Sequence, residues 1–500
     1  MQQTDDERSH ARSWSAPRIS MKTRSASSAR RASKVACTLS LAVAGLAQEV
    51  VDFRAMDGTR FLLLSQGGAP MVHWAIAVPI GPRVDPPGQA GITEAVFRSS
   101  IRGGFGIGSL DAAKERKAIE ELDALETELH GPVGKSPDES KVKAVRADEL
   151  RASIASLSDR AAFRRVLAGA PATNITLRAS GGVAIFSLTT TPLGAQTIAK
   201  LLFELREHPA LRDYATELAA IRRRDTAAWD QDPLAPLYAE ALALAFAGHP
   251  IARAGERPSN DPVRRPDALV AFSRSQHPQH TVHALVGSFD VAAMRVQLQR
   301  AFSTTSLTNA GAIARAEARA PNATRRAIVP GARRPAALIA YALPQGTNRH
   351  AIETVARWFA DGPDSWLARE LAQAGRAGAT VAVRAPWPDS AEPGLLVIEA
   401  TDVAGTSPTL ADDVLHILAR AQKAAPEPGR MPLRFAAIQR DFLTATGSPS
   451  ELASSMAAFG VKIESTDAFA PPATPAFGEL AQQLHAILAA SPIVVEWRDA

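Results

Sequence analysis

Gly91-Ile92-Thr93-Glu94-Ala95-Val96-Phe97-Arg98-Ser99-Ser100-Ile101-Arg102-Gly103-Gly104 is the stretch on which the fold of this chain turns. Its apolar spacing predicts a helix over Thr93–Arg102, entered at Gly91 and left at Gly103-Gly104. Glu94 and Arg98 stand at i and i+4 in the favourable order, worth about 0.3–0.5 kcal/mol as an exposed pair. The exit Gly103-Gly104-Phe105-Gly106-Ile107-Gly108 has the glycine density of a phosphate loop. No Lys-Ser/Thr follows it and no buried strand precedes it, so it reads as a flexible helix exit.

Outward from this helix, Val50–Asp57, Arg60–Ser65 and Val72–Ile80 read as strands, with Asp57-Gly58 turning the first hairpin. Residues 111–165 are helical and heavily charged, and Gly131-Pro132-Val133-Gly134 divides them into two arms, as in an inserted helical hairpin. Strands follow at Ala172–Arg178 and Gly182–Thr190, then helices over Gly194–Glu207, Leu211–Trp229 and from Pro233 to Ala247, then a strand at His283–Gly287. Thr305–Pro335, rich in Ala, Arg, Asn and Pro, reads as a linker. Beyond it Ala336–Leu343, His350–Ala360, Trp366–Ala374, Leu395–Thr401, Thr409–Ala421, Met431–Thr444 and Ser450–Phe459 repeat the alternation, and Ile493–Trp497 closes it as a strand.

Gly81-Pro82-Arg83-Val84-Asp85-Pro86-Pro87-Gly88 and the helix after it resemble the loop and inverted zinc motif, His-x-x-Glu-His, of the insulinase-like (M16, pitrilysin and mitochondrial processing peptidase) zinc peptidases. Asp232-Pro233-Leu234-Ala235-Pro236-Leu237-Tyr238, Gly248-His249-Pro250-Ile251 and Val286-Gly287-Ser288-Phe289-Asp290 fall at that family's intervals. The resemblance covers nearly the whole chain after residue 47 and is stronger in its first half. It implies an α+β fold of two half-units, each a mostly antiparallel sheet packed with helices: 48–304 with the insertion 111–165, a linker 305–335, and 336–500.

In that register the two histidines and the glutamate become Glu94, Arg98 and Phe97, and the remaining zinc ligand becomes Arg224. Zinc needs deprotonated nitrogen or carboxylate donors, and a guanidinium is never one. An arginine and tyrosine that hold substrate backbone in the family's second half fall on Ala372 and Ala379. Arg369 and Arg376 lie close by but out of register. The resemblance thus implies a degenerate member with no zinc of its own, expected to bind extended peptide or to support a zinc-bearing catalytic M16-type chain, as a heterodimer or with a second copy of itself. Two alternatives stay open: an active zinc endopeptidase with other ligands, and a free-standing peptide-binding or chaperone-like module.

The remaining chemistry is sparse. His277-Pro278-Gln279-His280-Thr281-Val282-His283 is the one histidine cluster; on an extended chain His280 and His283 point to opposite faces, and His277 and His283 stand about 20 Å apart. No Gly-x-Ser-x-Gly elbow occurs. Trp74, Trp229, Trp358, Trp366 and Trp387 read as core or interface residues. A two-half-unit chain builds half of the family's chamber, so apolar inner faces such as those of Trp74 and Phe97 are expected to need a covering partner.

Residues 1–47 have the form of a signal peptide, with Met21 as a second candidate start, a basic run through Lys34 and an apolar stretch Val35–Ala47 too short to span a bilayer. A basic arm is the alternative reading. The leader holds 8 Lys/Arg and 3 Asp/Glu of the 56 and 51 in the chain, so the remainder carries 48 of each and the formal charge of +5 disappears with it. A neutral remainder gives no reason to invoke nucleic acid or an anionic membrane surface. The single cysteine, Cys37, also lies in the leader. A thiol-free remainder suits a periplasmic or secreted protein.

Overall fold

The computed structural model describes residues 50–129, 137–259, 261–303, 313, 321–330, 336–344, 349–360, 365–387, 394–402, 409–421, 431–462 and 476–498. The leader, most of the linker and the Gly131–Gly134 break lie outside the described residues. The first half runs β1 Val51–Arg54, β2 Arg60–Ser65, β3 Val72–Pro79, α1 Ile92–Ser100, the hairpin helices α2 Ala112–Leu129 and α3 Pro137–Leu157, α4 Ala162–Gly169, β4 Thr173–Ser180, β5 Val183–Thr190, α5 Pro192–Glu207, α6 Tyr214–Gln231, α7 Ala235–Ala245, α8 Arg265–Ser275, β6 Val282–Gly287 and α9 Val291–Ala301. The second runs β7 Arg325–Pro330, β8 Ala336–Ala342, α10 Arg349–Ala360, α11 Trp366–Gln373, β9 Ala379–Trp387, β10 Leu395–Asp402, α12 Leu410–Ala421, α13 Met431–Thr446, α14 Pro449–Lys462, α15 Phe477–Leu488 and β11 Ile493–Arg498.

The two sheets share one topology. The first is ordered β1-β2-β6-β3-β5-β4 and the second β7-β11-β8-β10-β9. Dropping β1, each sheet places its first strand beside its last, and that pair alone is parallel; every other pairing is antiparallel. The chain is therefore an α+β protein built from two equivalent sheet-and-helix halves. β7 falls inside the stretch read as linker. Its alternation of exposed and half-buried residues, with Arg325-Arg326 at one end and Pro330 at the other, is that of an edge strand, and such a pattern carries little apolar signal.

Each sheet is apolar on both faces but is covered by its own helices on only one. In the first half Val72, Trp74, Ile76 and Val78 alternate onto the face packed with Phe97, Phe163, Leu201 and Phe302. The opposite face, including Leu62, Ala75, Ala77, Val282 and Ala284, is buried too. What covers it comes from the other half: α14 packs across β3, β6 and β5. Its buried residues are mostly small, Ala453, Ser454, Ala457 and Gly460 with Leu452 and Met456, so helix and sheet approach closely. The equivalent helix α7 makes the reciprocal crossing, placing Leu237, Tyr238, Ala241 and Leu242 against Leu338, Ala340, Val397 and Val495 of the second sheet.

Packing within the first half corrects one expectation. Trp74 and Phe97 are 1% and 2% exposed, enclosed by the chain's own helices, so neither calls for a partner. Polar ties fix the crossing. Arg60, held by Asp52 at 2.6 Å, donates from Nη1 to the Gly460 carbonyl near the C-terminal end of α14 at 3.0 Å, and Arg178 of β4 pairs with Glu451 of α14 through two bonds of 3.1 Å. On the reciprocal side the Tyr238 hydroxyl donates to the buried Glu399, which also accepts from Arg384 at 2.8 Å.

The crossing makes Gly460 a sensitive position. A Cβ there would lie 2.7 Å from Val282 Cγ1 and 3.1 Å from Leu62 Cδ1. Gly460→Ala is expected to lower stability by about 1–3 kcal/mol through overpacking, measured by urea denaturation. A shift within experimental scatter would mean that the helix can lift from the sheet without loss.

Candidate functional site

The loop before α1 is locked by a carboxylate. Asp85, 4% exposed, accepts from the Gly91 amide at 2.8 Å, the Thr93 amide at 3.0 Å and the Thr93 hydroxyl at 2.5 Å. It thus supplies the helix cap that Gly91 cannot. Burial pushes the Asp85 carboxyl above its usual range despite these bonds. Gly91 sits at φ +83° with Ile221 of α6 directly over it, 2.9 Å from where a Cβ would stand. Ile92, Ala95 and Val96 of α1 then pack against Tyr214, Leu218 and Ile221 of α6, which fixes the two helices side by side.

Between those helices lies the acid–base cluster. Glu94 is 5% exposed. Its Oε1 accepts from Arg98 Nε at 2.8 Å and from Arg224 Nη1 at 2.9 Å, and its Oε2 accepts from Arg224 Nη2 at 3.0 Å. Arg224 also binds Asp225 through Nε at 2.7 Å. Burial pushes Glu94 up, but the hydrogen bonds and charges of Arg224 and Arg98 outweigh it and hold the carboxyl below its usual range. One turn further along the same stripe Arg102 meets Glu217 at 2.5 Å and Asp213 at 4.0 Å. The sequence reading did not find this second contact, although its signal was present: Arg98 and Arg102 are four apart, and Glu217 and Arg224 seven.

Of the other residues singled out in the sequence, Phe97 points away into the core beneath the first sheet. Arg222 braces the entry loop through the carbonyls of Asp261 and Ala90 at 2.5 and 3.4 Å. In the second half Ala372 is exposed near the end of α11 and Ala379 opens β9; neither side chain can grip a peptide. Arg376 is committed elsewhere, to Asp413 at 2.7 Å, Asp402 at 3.3 Å and Thr409 at 2.8 Å.

The histidine segment differs from its extended reading. Residues 278–280 form a 3₁₀ turn, which brings the His277 and His280 rings to 5.7 Å. His283 lies in β6, buried, its Nδ1 accepting from Trp74 Nε1 at 3.2 Å, and burial drives its pKa down to about 3. It is thus a neutral core residue. Among the described residues no group of three or more His, Cys, Asp or Glu is placed to hold a metal ion.

The zinc chemistry can be tested against the donors present. Both Glu94 oxygens are occupied by guanidinium groups, Arg98 and Arg224 bring no lone pair, and Phe97 brings no proton acceptor. This donor set does not fit zinc.

Solved structures with this architecture align over nearly the whole chain. A protease from Helicobacter pylori superposes with a TM-score of 0.62 at 12% identity, covering 90% of this chain and 99% of its own. A peptidase M16 inactive domain from Pseudomonas fluorescens superposes with a TM-score of 0.58 at 15% identity, covering 90% and 98%. The chain has the M16 peptidase fold. An M16-like peptidase from Alicyclobacillus acidocaldarius also aligns, with a TM-score of 0.56, 12% identity and coverage of 91% and 99%. No family model and no curated protein sequence matches the chain. The Glu94–Arg224 contact joins α1 and α6, the helices on which the sequence resemblance sets the zinc-motif positions.

The cluster sets a pH dependence. Because the folded-state pKa of Glu94 is depressed, its stabilisation is fully present above the unfolded value near 4.3 and is lost as pH falls through the folded value. Glu94→Gln is expected to cost about 1–2 kcal/mol at pH 7, held to the lower range because the Arg224 guanidinium is half exposed and can hydrate. Thermal melts from pH 7 down to pH 3 should show wild type and variant converging. A gap of unchanged size at pH 3 would show that the charge is not what stabilises the contact.

Proposed function

We propose that this protein is a non-catalytic M16-type subunit that binds extended peptide or supports a zinc-bearing M16-type partner, holding no zinc itself. The observation that carries this reading is an ion pair: Arg224 and Arg98 close on Glu94 at the positions that the sequence resemblance sets against the family's zinc ligands. The fold it shares with a domain described as an inactive M16 domain supports the same reading. For peptide, the outer edge of β4 is the natural docking place. It ends the first sheet, its residues are exposed for most of their length, and no described strand pairs with that edge. An extended peptide could add there through backbone hydrogen bonds. A periplasmic or secreted location is part of the proposal and rests on the leader. No helix among the described residues is long and apolar enough to cross a membrane.

A second reading, a free-standing peptide-binding module, is favoured by the reciprocal burial of both sheets, which removes the uncovered apolar faces that would demand a partner. The two part experimentally. The chain mixed with a zinc-bearing two-half-unit M16 chain should co-elute with it and raise cleavage of a long unstructured peptide, while showing no cleavage alone. Peptide binding without association would favour the free-standing module, and chelator-sensitive cleavage by this chain alone would restore the zinc endopeptidase reading. Elemental analysis of the dialysed protein is expected to find no stoichiometric zinc; about one zinc per chain would overturn the proposal.

A further inference from the structure

The glycine-rich exit of α1 does more than release the helix. Gly103 and Gly108, at φ +147° and +95°, wall a cavity of about 340 Å³ with the ends of α3, α4 and α6 around it. Four arginines line it: Arg102, Arg160, Arg164 and Arg212. Arg212 is the fixed one. Its Nε and Nη2 bind Glu115, a carboxylate with no exposed surface, and Nη2 also donates to the Gly104 carbonyl at 3.0 Å. This leaves Nη1 turned toward the glycine walls, 3.2 Å from where a Cβ on Gly103 would stand and 3.8 Å from one on Gly108. Glycine at both positions keeps that N–H reachable from the cavity; any side chain would cover it.

The acids in the lining are already matched. Asp213 pairs with Arg160 at 3.1 Å and Arg102 at 4.0 Å, and Asp159 pairs with Arg165, outside the cavity. Arg164 has no such partner among the described residues. We infer that this cavity is a binding site for a small phosphate-type oxyanion, free or as the head of a phosphate monoester, with Arg212 as the preorganised donor and Arg160 and Arg164 closing over it. Guanidinium suits the task because its planar fork meets two oxygens at once and stays charged at every working pH. A carboxylate ion pair already orients Arg212, so binding need not immobilise that side chain again. The site is distinct from the Glu94 cluster and independent of whether peptide binds at β4.

Isothermal titration of the full chain with inorganic phosphate and with glycerol 3-phosphate, at ionic strength matched with chloride, tests this. Saturable binding is expected in wild type. It should weaken about tenfold or more in Arg160→Ala/Arg164→Ala, the loss of roughly one charge-assisted contact. Both side chains are exposed, so the variant should keep the wild-type melting profile, and Arg223→Ala/Arg300→Ala, which removes two exposed arginines on α6 and α9 outside the lining, serves as the charge-matched control. Tighter binding of glycerol 3-phosphate would identify a monoester ligand, and binding of inorganic phosphate alone the free ion. Heat indistinguishable from chloride, or equal affinity in the double variant and wild type, would overturn the inference.

Discussion

Two sheets that are apolar on both faces, in a chain whose halves each cover only one, are the constraint behind this architecture. A sheet in water must bury both such faces, and here each half lends its equivalent helix to the other, α7 to the second sheet and α14 to the first. The fit is close on the α14 side because small residues meet the strands, with Gly460 against Val282 and Leu62. Neither half can complete its core alone. The linker therefore need not hold the halves together; the exchanged helices do.

That rigidity positions the cluster at α1 and α6. The Asp85 cap sets the start of α1, the Ile92–Ile221 apolar seam sets its distance from α6, and the result is one buried carboxylate held by two guanidinium groups that hydrogen-bond it from different directions. A metal in such a place would join the helices by coordination, and here charge-assisted hydrogen bonds do so. The arrangement is chemically self-consistent. A buried Glu94 without Arg98 and Arg224 would carry an uncompensated charge, and two arginines without Glu94 would face each other. The members of this site depend on one another, which is why reading one residue without the others misleads.

The glycine-rich exit shows the same dependence on context. As a sequence it lacks what a phosphate loop needs, and that judgement stands for a nucleotide fold. In three dimensions the same glycines lie against Arg212, seated on Glu115 from the inserted helical hairpin, and a cavity with a fixed guanidinium donor results. The hairpin thus has a structural consequence beyond its solvated charged faces: it carries the carboxylate that orients Arg212.

The sequence by itself determined the alternation of strands and helices, because apolar residues at periods of 2 and 3.6 are local facts, and it placed Glu94 and Arg98 on one helical stripe. It brought Arg224 to the same site only through resemblance, by counting along a family pattern. It missed β7 and β9, edge strands whose partly exposed residues give little apolar signal, and the helices α8, α9 and α15. It read His277–His283 as extended where a 3₁₀ turn intervenes. Only the tertiary structure decided that the far face of the first sheet is covered from within, because the helix that encloses it lies nearly four hundred residues along the chain. Periodicity shows that a face must be buried, but what buries it is a long-range choice between partners of similar apolarity, settled by the packing of Ala453, Ala457 and Gly460 against the sheet.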